Sequence, residues 1–138
     1  MTSINLKAAL VGFAVALTPI LQAHADCRHR TLLVATDDGD AIGASGNADA
    51  RQQSSPIYYG GVRESFKVEL EADVADGTVF NAFADGHFAG SMATALGIAE
   101  LELDTEAFTM LEELRPVCNL SLVEVTDENG TLIASGNF

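Results

Sequence analysis

The stretch from Val62 to Val74 constrains the fold more than any other. Val62, Phe66, Val68, Leu70 and Ala72 fall on one side of an extended chain, and Arg63, Ser65, Lys67, Glu69 and Glu71 on the other. A period of two over this length predicts a strand with one buried and one wet face.

The same rhythm continues downstream. Asp76-Gly77 turns the chain, Thr78 to Ala84 is the next strand, and Asp85-Gly86 is a strong hairpin signal. His87 to Ala95 returns, with Gly90 as a bulge candidate. In Ile98 to Asp104, Ala99, Leu101 and Leu103 alternate with Glu100, Glu102 and Asp104. Upstream, Arg30 to Thr36 reads as a strand centred on Leu32, Leu33 and Val34, and Asp37-Asp38-Gly39-Asp40 as a turn. Ala41 to Ala50 is a weak strand of small residues, suited to lie close against another backbone. Gln52 to Gly61 reads as a loop.

Thr105 to Pro116 breaks the pattern. Phe108, Leu111 and Leu114 have helical spacing, so a short helix or a crossing loop is expected near 105–115, ended by Pro116. Cys118 to Phe138 then gives a strand, the turn Asp127-Glu128-Asn129-Gly130 and a final strand. Thr36 to Asn47 echoes Thr126 to Asn137, with Ala-Ser-Gly-Asn identical. Seven to eight strands joined by short turns predict an all-β, antiparallel two-layer β-sandwich, with a small barrel as the alternative.

Residues 1–25 read as a secretory signal peptide. Lys7 precedes an apolar run from Ala8 to Leu17, and Ala23-His24-Ala25 supplies the small residues signal peptidase needs. The run is too short to span a bilayer, so no membrane insertion is expected after cleavage. Residues 26–138 then form a single domain, secreted or periplasmic. Cys27 and Cys118 are the only cysteines, and in an exported chain they predict one disulfide. Residues 26–138 hold six basic and twenty acidic side chains, a formal −14. Such a charge repels nucleic acid and anionic membranes.

Three segments carry a resemblance: Phe66-Lys-Val-Glu-Leu-Glu-Ala, Asp76-Gly-Thr-Val-Phe-Asn-Ala-Phe-Ala-Asp-Gly-His, and Gly97-Ile-Ala-Glu-Leu-Glu-Leu-Asp, with Gly136-Asn137-Phe138 at the close. Together they resemble uncharacterised bacterial exported β modules. The resemblance implies an immunoglobulin-like or related sandwich and brings with it no catalytic residue.

Chemistry-bearing candidates are few. Asp37, Asp38 and Asp40 around Gly39 could supply part of a calcium site, though without EF-hand spacing, and Asp127-Glu128-Asn129-Gly130 shares the ambiguity. Cys27 and His29 share a strand face, and with His87, Met92 and Met110 form a notional copper set. No nucleophile sits in a Gly-x-Ser-x-Gly turn, and no enzyme activity or cofactor is expected. The leading expectation is a non-enzymatic structural or binding module for a protein or glycan partner, with Tyr58 and Tyr59 as the binding patch. The alternatives are a metal-binding protein and an assembly subunit that pairs through an exposed terminal strand. Mass spectrometry of the exported protein under non-reducing conditions is expected to give the mass of residues 26–138 less two hydrogens. A mass that retains residues 1–25 counts against cleavage.

Overall fold

The computed structural model describes residues 26–55 and 61–138. The first 25 residues and residues 56–60, which include Tyr58 and Tyr59, lie outside them. The chain forms β1 (Cys27–Ala35), a one-turn helix α1 (Asp37–Ala41), β2 (Ser45–Ser54), β3 (Val62–Glu71), β4 (Val79–Ala84), β5 (His87–Ala93) and β6 (Ile98–Asp104). Two 3-10 turns follow, Glu112–Leu114 and Val117–Asn119, then β7 (Leu122–Asp127) and β8 (Leu132–Asn137).

All pairings are antiparallel, in the order β5-β4-β7-β8-β1-β2-β3-β6. The all-β antiparallel expectation holds, but the layers are not separate. Cys27 to Leu33 pair with β2, whereas Val34 and Ala35 pair with β8. Strand β1 thus runs from one layer into the other, and a single sheet curls almost into a barrel. The remaining seam lies between β5 and β6. Their turn has one bridge, Ala95 to Ile98, and further along Leu101 fills the space that Gly90 leaves. A Cβ on Gly90 would stand 2.8 Å from Leu101 Cδ1.

The interior is built from the predicted faces. Phe66, Val68 and Leu70 of β3 meet Phe80 and Ala82 of β4 and Val123 and Val125 of β7 in one buried cluster. Burying each large side chain contributes about 1.5–3 kcal/mol. The small residues of β2 also have a reason. A Cβ on Gly46 would fall 2.2 Å from the Glu69 carbonyl oxygen, and Ala48 and Ala50 are fully buried. Strand β2 runs on to Ser54, into the segment expected as loop.

Other expectations change. In β1 only Leu33 of the three central residues is buried; Leu32 and Val34 point outward. The acidic turn is α1, whose N-cap Thr36 accepts from the Gly39 N–H, and Gly39 packs against the Ile133 carbonyl. Thr105 to Pro116 is the expected crossing loop, with a short 3-10 turn at Glu112–Leu114, but its apolar residues share no face: Leu114 is buried and Phe108 is 93% exposed. The terminal strand is not an edge. Strand β8 sits between β7 and β1 because Val34 and Ala35 take up its outer side.

Glu64 is the unexpected member of the inner face. It is in phase with Phe66, Val68 and Leu70, lies opposite the buried Gln52, and is itself buried. Its carboxylate pairs with the Arg115 guanidinium and accepts from the Val117 N–H at 3.0 Å. Its backbone exchanges bonds with Thr105: Glu64 N–H to Thr105 Oγ1 at 3.1 Å, and Thr105 N–H to Glu64 O at 3.0 Å. One residue therefore holds both ends of the 105–117 crossing. That crossing delivers Cys118 to Cys27, and the two form the predicted disulfide with a Cα–Cα distance of 6.2 Å. Closing 91 residues removes about 4.5 kcal/mol of chain entropy from the unfolded state.

Glu64→Ala should cost about 3–5 kcal/mol, because it strips the Val117 N–H and Arg115 of their buried partner. Urea denaturation of the oxidised protein measures this. A loss below about 1 kcal/mol means that the crossing is held by its apolar contacts alone.

Candidate functional site

The outer face of β1-β2-β3-β6 collects charge. In register order it carries Arg28 opposite Arg51, Arg30 opposite Asp49, Asp49 opposite Lys67 and Lys67 opposite Glu102. Arg63 lies further along β3, so five of the six cations after residue 25 share this face. The alternation of the strands puts them there, since each is out of phase with a buried residue. Arg28 pairs with Asp49 at 3.0 Å and Lys67 with Glu100 at 3.0 Å. The Glu100 hydrogen bond, helped by the charges of Glu100, Glu69 and Glu102, holds the Lys67 ammonium above its ordinary range against desolvation.

At the end of β6 this face meets a loop. Asp104, the last residue of the expected carboxylate row, is buried, unlike the exposed Glu100 and Glu102. Asp104 Oδ2 accepts from Arg63 Nη2 at 2.7 Å, and Oδ1 from the Glu106 N–H at 2.8 Å. Its own N–H donates to Thr109 Oγ1 at 2.8 Å. Burial pushes the Asp104 carboxyl up, but the Arg63 and Glu106 hydrogen bonds and the Arg63 charge outweigh it. The group is held below the usual aspartate range. A hollow of about 450 Å³ borders Arg63, Asp104, Glu106 and Thr109.

The loop has a defined backbone form. Thr109 N–H bonds to Asp104 O at 3.1 Å and Phe108 N–H to Thr105 O at 3.3 Å. These are the nested bonds of a Schellman motif, which places its penultimate residue in the left-handed region, normally as glycine. The same motif closes α1, with Ala44 N–H to Gly39 O and Gly43 N–H to Asp40 O. There the left-handed residue is Gly43, at φ 62°. Here it is Phe108, at φ 56° and 93% exposed. A bulky residue in that region is strained, and its ring gains almost no burial in return. The hydrogen bonds and the ion pair around Asp104, Thr105 and Thr109 hold it in place.

The sequence candidates fall elsewhere. Cys27 and Cys118 are joined as a disulfide. Tyr58 and Tyr59 lie outside the described residues. His29 sits near the Phe138 ring at 6.4 Å, His87 opens β5 on another part of the sheet, and Met92 is buried. Asp37, Asp38 and Asp40 point into solvent from α1. Asp127 Oδ1 is occupied by the Asn129 and Thr131 N–H groups of its own hairpin. Among the described residues, no three His, Cys, Asp or Glu side chains are grouped to hold a metal ion. Also among them, no helix is long and apolar enough to cross a membrane. The sequence reading missed Glu64 and Phe108. Glu64 is recoverable as a charge in phase with an apolar face, whereas nothing local marks Phe108.

No family model matches the chain, and no curated protein or solved structure matches it either.

The depressed Asp104 fixes a sign for acid stability. The ionised carboxylate contributes stability fully above the ordinary aspartate pKa of about 3.9, and this is lost as pH falls through the lower folded value. The stability difference between wild type and Asp104→Asn should therefore be constant above about pH 5 and shrink below about pH 4. Thermal melts of both proteins across that range check it. A difference that does not depend on pH contradicts the assignment.

Proposed function

We propose that the protein is an exported, non-enzymatic binding module of immunoglobulin-like type that docks a protein partner through the Phe108 loop. The strand neighbours support the fold part of this reading. Counting from β2 to β8, the first, second and fifth strands adjoin in one layer, and the third, fourth, sixth and seventh in the other. That is the Greek-key arrangement of immunoglobulin-related sandwiches, with β1 added between the layers. The disulfide supports an oxidising compartment, secreted or periplasmic.

The clamped, strained and exposed ring of Phe108 carries the docking part. An aromatic side chain on a rigid loop loses little conformational freedom on binding, which is what an interface anchor needs. The same crossing carries Glu106, paired with Arg63, Glu112, paired with Arg115 and 86% exposed, and the exposed Glu113. The matching partner presents an apolar pocket with a basic rim. The metal-binding alternative finds no support in the positions of the acidic turns or the histidines, and the terminal-strand alternative lacks its free edge.

Phe108→Gly should raise stability by about 1 kcal/mol through relief of the left-handed strain. The same variant should lose cross-linked partner from periplasmic or culture extracts. Unchanged or lower stability means that the ring packs against the protein and is not offered to a partner.

A further inference from the structure

A second feature of the same sheet face is independent of the Phe108 loop. Arg28 and Arg51 are direct cross-strand neighbours, and like charges so placed destabilise a sheet. The chain has twenty acidic residues with which to neutralise them. It uses one, Asp49, on Arg28. Arg51 makes no ion pair among the described residues; its guanidinium lies beside the neutral Gln53 amide, whose oxygen can accept from it once the amide is turned to suit. Arg30 makes no ion pair among the described residues and is exposed. In so acidic a protein, two guanidinium groups on adjacent strands without carboxylate partners among the described residues run against the overall electrostatics.

These groups border a hollow of about 270 Å³ in which Arg28, Arg30, Arg51 and Lys67 face Asp49, Glu69 and Glu102. Asn47 and Ser65 add neutral donors and acceptors. The volume suits one sugar-sized molecule. A guanidinium binds a carboxylate with two parallel bonds. The carboxylates and amide beside it accept from and donate to hydroxyl groups. A long polyanion is disfavoured, because the formal −14 of residues 26–138 repels it. The four cations of the hollow exceed its three carboxylates by one, which a single carboxylate balances.

We infer that this hollow binds a small polyhydroxy carboxylate of the sugar-acid class, its carboxylate on Arg30 and Arg51 and its hydroxyls toward Asp49, Asn47 and Ser65. The acid can be free or the terminal residue of a glycan.

The test is a ¹⁵N–¹H NMR titration of the oxidised mature protein with sodium glucuronate, with its methyl glycoside, with glucose, and with sodium chloride at matched ionic strength. The expected result is saturable shifts of amides in β1, β2 and β3 around the hollow with glucuronate or its glycoside, and none with glucose or chloride. Binding to the glycoside assigns a glycan terminus; its exclusion assigns the free acid. The double variant R30A/R51A, with its spectrum unchanged away from this face, should weaken binding at least tenfold. Shifts that do not saturate, equal shifts with glucose or chloride, or undiminished binding by the variant overturn the inference. Phe108→Gly should leave this titration unchanged, so the two sites can fail separately.

Discussion

One buried carboxylate organises the closure of this domain. Glu64 stands on the inner face of β3, where its neighbours in phase are Phe66, Val68 and Leu70. An isolated carboxylate there would be costly; here the Arg115 guanidinium and the Val117 N–H satisfy it, while the Glu64 backbone exchanges bonds with Thr105. The consequence is geometric. The chain between β6 and β7 has only two single 3-10 turns to direct its path, and Glu64 fixes it at both ends. Cys118 then arrives beside Cys27, and the start of β1 is tied to the segment that leads into β7.

The same clamp bears on the Phe108 loop, because Thr105 is one of its contacts. A protein that places glycine at the left-handed position of one Schellman motif can do so at a second. Gly43 and Phe108 occupy equivalent backbone positions with φ 62° and 56°. The hairpin turns repeat the contrast. Asp85-Gly86 has the small polar residue expected at positive φ, while Leu96-Gly97 carries a leucine at φ 53° that is 91% exposed. Asp85 uses its side chain to hold Ser121 and Leu122, and its carboxyl lies below the usual range: desolvation raises it, and those backbone bonds outweigh the effect. Leu96 and Phe108 stand at opposite ends of β6, so they do not form one patch. Positions where local preference and the observed residue disagree are where function is expected to reside.

Much of the fold was legible because it rests on period-two burial and turn chemistry. Strand β6 begins and ends where its alternation does, and both Asp-Gly turns fall between strands. The disulfide followed from cysteine count and compartment. What the sequence hid is of a different kind. The run Leu32-Leu33-Val34 looks like a buried core, but a strand can bury only every second residue, and the other two face outward. The closure of two layers into one curled sheet depends on Val34 and Ala35 reaching β8, about a hundred residues away in the chain. The echo between Thr36–Asn47 and Thr126–Asn137 covers two different connections, a helical turn and a tight hairpin. At the site, arginines in alternate positions were readable as an outer face. Which of them lack a carboxylate partner depends on register across three strands.

The composition of the core explains why the tie and the clamp matter so much. Of the 22 buried apolar residues among those described, nine are alanine. Alanine suits strands that approach closely, as at Ala48, Ala50, Ala82 and Ala84, but each removes little apolar surface from water. A domain of this size already buries a modest share of its surface, and an alanine-rich interior lowers the return further. A covalent closure across 91 residues, worth about 4.5 kcal/mol, is then comparable to the whole stability of a small domain. The protein depends on a bond that only an oxidising compartment maintains, and on the Glu64 contacts that bring its two sulfurs together. Stability gained in this way does not require the outer face to be apolar or fully paired. That freedom is what allows Arg30, Arg51 and Phe108 to be set out on the surface in arrangements that packing alone would not select.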